Sequence, residues 1–168
     1  MVRARGRAGF TLTEAVITVA IVGILSSMSS ILMIQANRYF LLSKARLDLQ
    51  REARGLMYVI TREVRQAKNS TIVLDRAATT QPFYSRISFT TQQGASIVIW
   101  QNGVQLVMTK GVPTDKTILS KNLRYLAFTF PRSDDMSILS VSMTLETSIA
   151  QGKKKALHMA SEKVQVMN

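Results

Sequence analysis

The sequence has no cysteine, a single histidine and few acidic residues. Its 168 residues contain three Pro and one Trp, and its 10 Asp and Glu are outnumbered by 22 Lys and Arg. Without cysteine, no disulfide can stabilise the fold and no thiol can act as a nucleophile. His158 stands alone, so zinc sites and histidine-based catalysis have little to build on, and no Gly-rich phosphate loop is present. We therefore expect no enzyme, no cofactor and no metal site, and we interpret His158 as an ordinary strand residue.

Negative charge is almost absent from the N-terminal region. Arg3, Arg5 and Arg7 precede a long apolar stretch, and Glu14 is the only acidic residue before Asp48. Residues 15–34 carry no charge and would form a helix of about 30 Å, which matches the hydrocarbon core of a bilayer. The arginines favour a cytoplasmic N-terminus. A carboxylate in such a segment costs roughly 2.5 to 3.5 kcal/mol at mid-membrane depth, so Glu14 is interpreted as functional.

Three interpretations of this N-terminus compete. It is a removable secretory signal, a plain single-span anchor, or a leader that is trimmed on the cytoplasmic side while the apolar segment stays. A secretory signal needs small residues after its apolar core, and the serines near Ser30 meet that need. This interpretation would yield a secreted enzyme that begins near Ser30. Neither a secretory signal nor a bare anchor gains anything from Glu14.

Residues 9–25, GFTLTEAVITVAIVGIL, resemble the N-terminus of type IV prepilins and of type II secretion pseudopilins. The resemblance rests on Gly9, Phe10, Glu14 and Gly23, together with Thr11 and Leu12. It implies a leader of residues 1–9 that a membrane peptidase removes after Gly9, followed by methylation of the new amine at Phe10. Many major pilins have a helix-breaking Pro where this chain has Ile31, so the resemblance favours a minor subunit.

The pairing of Glu14 can be argued from its chemistry. After removal of the leader, Phe10 would present a cationic amine in an apolar setting, where an unpaired charge is expensive. Glu14 lies four residues later and could pair with this amine or with that of a neighbouring chain. The resemblance implies the second arrangement, in which the pair sets the register of subunits in a filament.

The resemblance also implies partners and a location. The partners are other pilin or pseudopilin subunits, the prepilin peptidase and methyltransferase, and an inner-membrane assembly platform. The chain would first span the bacterial inner membrane once, with its N-terminus in the cytoplasm. It would then enter a periplasmic or cell-surface filament, either a type IV pilus or a type II secretion pseudopilus.

Beyond the apolar segment the sequence predicts that the same helix continues to about Lys68. Apolar residues recur at steps of three and four, while charged residues, among them Glu52 and Glu63, fill the other positions. We divide the helix into a transmembrane or filament-core half, 10–36, and an amphipathic half, 37–69. The predicted apolar face comprises Leu41, Leu42, Ala45, Leu49, Ala53, Leu56, Met57, Ile60, Val64 and Ala67.

Residues 70–168 are predicted to form a β-sheet head, because β-branched residues and alternating patterns replace the helical period. Asn102-Gly103 signals a tight hairpin. The predicted fold is α+β, a pilin-like lollipop whose long helix packs on one antiparallel sheet of about five to seven strands. The strand candidates are 71–75, 86–91, 95–101, 104–109, 123–130, 137–147 and 156–166. The expected aromatic core residues are Phe89, Trp100, Phe128 and Phe130.

Residues 47–73 and the Asn-terminated last strand resemble minor pseudopilins of the J type and minor pilins of the W type. Such subunits sit at or near the filament tip. This resemblance implies a minor tip subunit for this chain.

The head is strongly basic. The formal net charge of +12 falls to +9 when Arg3, Arg5 and Arg7 leave with the leader. Such a surface favours acidic partners, including DNA. The sharpest cluster is Lys153-Lys154-Lys155, a candidate anionic-ligand contact that makes a basic-headed adhesin or DNA-uptake pilin the alternative function. A solvated turn is the simpler interpretation of these lysines, and also of Asp134-Asp135, which resemble the calcium-chelating loop of some pseudopilins.

Overall fold

A computed structural model describes residues 9–81, 83–111, 115–149 and 154–166, without the side chain of Lys154. Its one long helix, α1, spans Leu12–Arg65. The helix closes with a tighter turn, in which the amide of Ala67 donates to the carbonyl of Val64 at 3.0 Å. The prediction of a single helix through both halves is confirmed, with ends two or three residues inside the predicted ones.

Contacts divide the chain into two compact units, residues 1–41 and 42–168. In the first unit, every described side chain is exposed, including the apolar side chains of α1. Leu41, which was predicted on the buried face, is 42% exposed. The second unit contains the remainder of α1 and all described strands.

Five strands of the second unit form one antiparallel sheet in chain order. They follow a short 3-10 turn at Asn69–Thr71. A two-residue connection, Gly103-Val104, joins Asn102 to Gln105 in neighbouring strands, and Gly103 has a φ of +59°, so the predicted hairpin is confirmed. The strands are β1 Val73–Asp75, β2 Arg86–Thr90, β3 Ser96–Asn102, β4 Gln105–Lys110 and β5 Asp115–Ser120.

Three further strands form a second antiparallel sheet, β6 Leu123–Thr129, β7 Ile138–Ile149 and β8 Lys154–Gln165. The prediction of one sheet of five to seven strands is therefore wrong, since the described residues form eight strands in two sheets. The α+β class, with a long helix and antiparallel strands, is confirmed.

A buried polar side chain joins the two sheets. The Nε2 of Gln101, on β3, donates to the carbonyl of Arg124 at 3.2 Å, and its Oε1 accepts from the amide of Leu126, on β6, at 3.1 Å. Gln101 is only 6% exposed. Beside it, the carbonyl of Tyr84 accepts from the amide of Phe128 at 2.8 Å. The Gln101 bonds connect β3 to β6, and the Tyr84 bond connects the segment before β2 to β6, where no strand ladder does so.

One apolar core lies between α1 and both sheets. Leu49, Ile60 and Val64 of the predicted helix face are almost completely buried, which confirms that face from Leu49 onward. Phe89 and Phe128 belong to this core, and Phe130 packs against it. Trp100 does not, which corrects the prediction. Trp100 is half-buried, and its cross-strand partners are Arg86 on β2 and Val107 on β4. The Nζ of Lys116 lies 5.8 Å from the centre of its ring.

Two glutamates of α1, which lie outside the predicted apolar face, also contact the five-stranded sheet. Glu63 is 4% exposed, and its Oε2 lies 3.1 Å from the Nζ of Lys110. Glu52 accepts hydrogen bonds from Ser120 Oγ at 2.6 Å and Asn122 Nδ2 at 2.9 Å. Eleven residues are about three helical turns, so the two carboxylates share one side of the helix. Glu63 is buried and Glu52 is half-buried, and residues of β4, β5 and the turn after β5 supply their polar partners.

Candidate processing and assembly site

The predicted cleavage point lies directly before α1. Gly9 and Phe10 are exposed and precede the first helical residue, Leu12. A Cβ added to Gly9 would meet no atom within 4 Å. The fold of this chain therefore does not itself require glycine at position 9.

Thr11 caps the helix, and Glu14 lies in its first turn. The amide of Glu14 donates to Thr11 Oγ1 at 3.4 Å, and that hydroxyl donates to Glu14 Oε2 at 3.4 Å. An acid near a helix N-terminus is favourable because of the helix dipole. This cap was not predicted, although Thr11-Leu12-Thr13-Glu14 has the spacing of a capping box. Within the described residues, Glu14 forms no ion pair.

The helix after Glu14 is long and apolar enough to cross a membrane. It contains an 18-residue stretch with a mean hydropathy of 2.2, of which nothing is buried within the chain. Serine hydroxyls near its centre are satisfied locally, since Ser27 donates to the carbonyl of Ile24 at 2.7 Å and Ser30 to that of Ser26 at 3.4 Å. Such back-bonding lets serine lie in an apolar environment without an unpaired hydroxyl.

Two of the three lysines predicted to contact anions can be placed. Lys153 lies outside the described residues, Lys154 begins β8, and the exposed side chain of Lys155 forms an ion pair with Glu146. Arg124 pairs with the same carboxylate. The hydrogen bond from Lys155 lowers the pKa of Glu146, and Arg124 acts in the same direction.

The remaining candidates behave as surface groups. Asp134 pairs with Arg132 at 3.0 Å, while Asp135 accepts from the amide and hydroxyl of Ser137 at 2.9 and 2.5 Å. The hydroxyl contact lowers the pKa of Asp135. His158 lies on β8 and is half-buried. The described part of the chain brings no three His, Cys, Asp or Glu side chains together as metal ligands would require.

The N-terminal segment matches a known family model. The family model for the prokaryotic N-terminal methylation motif matches residues 4–30. Comparisons with curated proteins and with solved structures gave no match. The motif match confirms the predicted resemblance of this N-terminal segment to type IV prepilins and pseudopilins.

Proposed function

We propose that this protein is a minor pilin or pseudopilin that is cleaved after Gly9, methylated at Phe10 and assembled into a type IV pilus or type II secretion pseudopilus. The observation that carries this proposal is the methylation motif at residues 4–30, whose predicted cleavage point immediately precedes the capped start of α1. The apolar helix would remain in the mature chain, first in the inner membrane and then in the core of a filament.

The surroundings of Gly9 support its role in processing. Because a Cβ at this position meets nothing within the chain, any need for glycine comes from an external partner. A peptidase that binds the backbone closely on both sides of the cut would impose such a need.

The exposure of Glu14 supports a role in assembly. Within the described residues, its carboxylate accepts a hydrogen bond only from the Thr11 hydroxyl, so one oxygen remains accessible to a neighbouring chain. A cationic amine at Phe10 of an adjacent subunit would neutralise Glu14 as both enter an apolar filament core. Unpaired, either charge would carry a desolvation penalty of several kcal/mol.

The subunit would work with other pilins, the prepilin peptidase and methyltransferase, and an inner-membrane assembly platform. Its N-terminus would face the cytoplasm before extraction into a periplasmic or surface filament. Ile31 in place of a helix-breaking Pro favours a minor position, and the J-type and W-type resemblance favours the filament tip.

The N-terminal mass of the protein tests this proposal. The chain should be isolated from bacterial cells with and without an active prepilin peptidase. We expect a mature chain that starts with N-methylated Phe10 in the first cells and an intact chain in the second. Gly9→Leu should remain uncut, whereas Gly23→Leu, which also changes an unhindered glycine, should be cut normally. A start near Ser30, or an intact Met1 with active peptidase, would contradict the proposal.

A second candidate function is DNA or polyanion binding by the same subunit. Lys121, Arg124 and Lys155 line an open groove of about 580 Å³ around Glu146. Three cations against one carboxylate leave net positive charge, which favours a phosphate backbone. Replacing Lys153, Lys154 and Lys155 with Gln should weaken retention on DNA at low salt, and Glu146→Gln should strengthen it. Unchanged retention of the triple variant would exclude this candidate.

A further inference from the structure

A second, larger groove lies between α1 and the edge of the three-stranded sheet. It has a volume of about 800 Å³ and lies entirely within residues 42–168. One wall is a flank of α1 that carries Arg54, Tyr58 and Arg65, and the other is the stretch of β8 from His158 to Glu162. Arg54 and Tyr58 are four residues apart and Arg65 follows two turns later, so they form one row along the helix.

The β8 wall is the edge of its sheet. Among the described strands, β8 pairs only with β7, over all twelve residues from Lys154 to Gln165. Its other edge therefore presents backbone N–H and C=O groups that no described strand uses. Edges of this length are normally covered or interrupted, because they offer a template for another extended chain.

The register shows which side of β8 faces the groove. His158 is the partner of buried Leu145, and Glu162 is the partner of buried Val141. Partners in an antiparallel pair point to the same face, so His158 and Glu162 lie on the core side of the sheet. At this edge strand the core side is only partly covered, since His158 is half-buried and Glu162 is exposed. A strand added beside β8, about 4.8 Å away, would continue this face toward the flank of α1.

The helix wall of the groove is basic. Arg54 and Arg65 are exposed and form no ion pair with any described residue, while Arg62 lies 3.5 Å from Glu63. Glu162 is the one acidic residue in the described lining. Tyr58 is 67% exposed between the arginines, and tyrosine and arginine are the residue types enriched at binding hot spots.

We propose that this groove binds an extended, acidic segment of another protein, which pairs with the free edge of β8 and places acidic side chains against Arg54 and Arg65. A second copy of this chain is disfavoured as the source, because each copy carries a net charge of +12. Main-chain hydrogen bonds to β8 would supply affinity, and the arginine row would supply the preference for acidic side chains. This inference goes beyond the proposed function, since it does not require cleavage or filament assembly.

The test uses the full chain in detergent micelles and a labelled peptide of about ten residues that alternates Glu and Thr, a typical strand length. Fluorescence anisotropy at low salt should show saturable binding. The double variant Arg54→Gln, Arg65→Gln should weaken this binding about tenfold, which is the expected effect of losing two partly solvated charge pairs. The matched variant Arg46→Gln, Arg51→Gln removes the same charge from exposed positions outside the groove lining and should have little effect.

Two further probes separate strand pairing from simple charge attraction. A peptide that alternates Glu and Pro has the same charge but cannot pair as a strand, and it should bind at least tenfold more weakly. Equal binding of the two peptides, equal weakening by the two double variants, or no binding of the Glu-Thr peptide would each overturn the proposal. Single-stranded DNA that competes at the same sites with higher affinity would also overturn it and would assign the groove to nucleic acid.

Discussion

Lys110 on β4 neutralises Glu63 on α1, with 3.1 Å between Lys110 Nζ and Glu63 Oε2. The Glu63 side chain, taken alone, is 5% exposed, whereas the Lys110 side chain is 49% exposed. The lysine thus keeps contact with solvent, while the carboxylate depends on protein partners. This pair fixes α1 against the five-stranded sheet at the same helical side as Glu52.

Lys110→Met should destabilise the protein by about 1 to 3 kcal/mol, because it leaves the buried Glu63 carboxylate with only Arg62 nearby. Thermal unfolding of the full chain in micelles, followed by the circular dichroism of the strands, measures this effect. The double variant Glu63→Leu, Lys110→Met should recover much of the loss, since an apolar pair needs no counter-charge. Lys163→Met is the control, as this exposed lysine has no ion pair with a described residue. An effect as small as that of the control would contradict the structural role of the pair.

Gln101→Leu should destabilise the protein by about 1 to 3 kcal/mol, because each buried backbone group left without a partner incurs a desolvation cost. The amide of Leu126 and the carbonyl of Arg124 would both lose their hydrogen bonds to Gln101. Hydrogen exchange of the Leu126 amide provides a local measurement, and it should accelerate more than exchange within β7. Ser96→Ala, at an exposed position of the same strand, should leave both stability and exchange unchanged.

The Asp75–Arg86 pair predicts a pH dependence. The hydrogen bond from Arg86 lowers the pKa of Asp75 below its usual value of 3.8. A carboxyl group with a lowered folded-state pKa stabilises the fold above its unfolded pKa, and this contribution is lost as the pH falls through the folded value. Both side chains are 37% exposed, so the contribution is about 0.2 to 1 kcal/mol.

Asp75→Asn should therefore lower the melting temperature near pH 7 by a small amount, and the difference from the unmodified chain should diminish as the pH falls below 3.8 and through the lowered pKa of Asp75 in the folded state. Melting curves from pH 2 to 7 provide the measurement. Asp48→Asn, at an exposed position without an ion pair among the described residues, is the control. A difference that persists unchanged to pH 2 would show that the variant acts through packing and not through charge.

Much of the fold could be predicted from hydrophobic periodicity. The step of three and four residues placed Leu49, Ile60 and Val64 in the core, and alternation located seven strands. β5 was missed because it has no such pattern. Residues from Asp115 to Thr117 are exposed on both faces, as an edge strand allows, so nothing in their order distinguishes them from a loop.

The division into two sheets could not be predicted, because alternation shows that a strand has one buried face but not which sheet it joins. The boundary depends on Gln101, whose amide connects β3 and β6 across a distance of 23 to 25 residues along the chain. Trp100 was misplaced for a related reason. Its neighbours Ile99 and Gln101 are buried, and the alternation of β3 puts Trp100 on the opposite face. The size and apolarity of a side chain do not by themselves predict which face of a strand it lies on.

At the N-terminus, the short motif carried more information than periodicity. Gly9, Phe10 and Glu14 were predicted as site residues from a resemblance over 17 residues. The match to the methylation motif, at residues 4–30, includes all three. The roles of these three residues remain predictions. The structure adds the Thr11 cap, in which Glu14 forms hydrogen bonds with Thr11. These local bonds would compete with the proposed pairing of Glu14 with a neighbouring subunit.

Paired variants can separate these two interactions of Glu14. Glu14→Gln keeps an oxygen that can accept from the Thr11 hydroxyl but removes the charge, whereas Thr11→Ala removes the cap and keeps the charge. If Glu14 pairs with the amine of a neighbouring chain, Glu14→Gln should be cleaved normally yet fall at least tenfold in sheared filaments, while Thr11→Ala should assemble at near-normal amounts. Loss of the cap alone costs about 1 kcal/mol, which a long helix held by a membrane tolerates. Quantitative immunoblots of membrane and sheared fractions provide the measurement. Equal loss of both variants would show that Glu14 acts only by starting the helix, and normal incorporation of Glu14→Gln would exclude the charge pair.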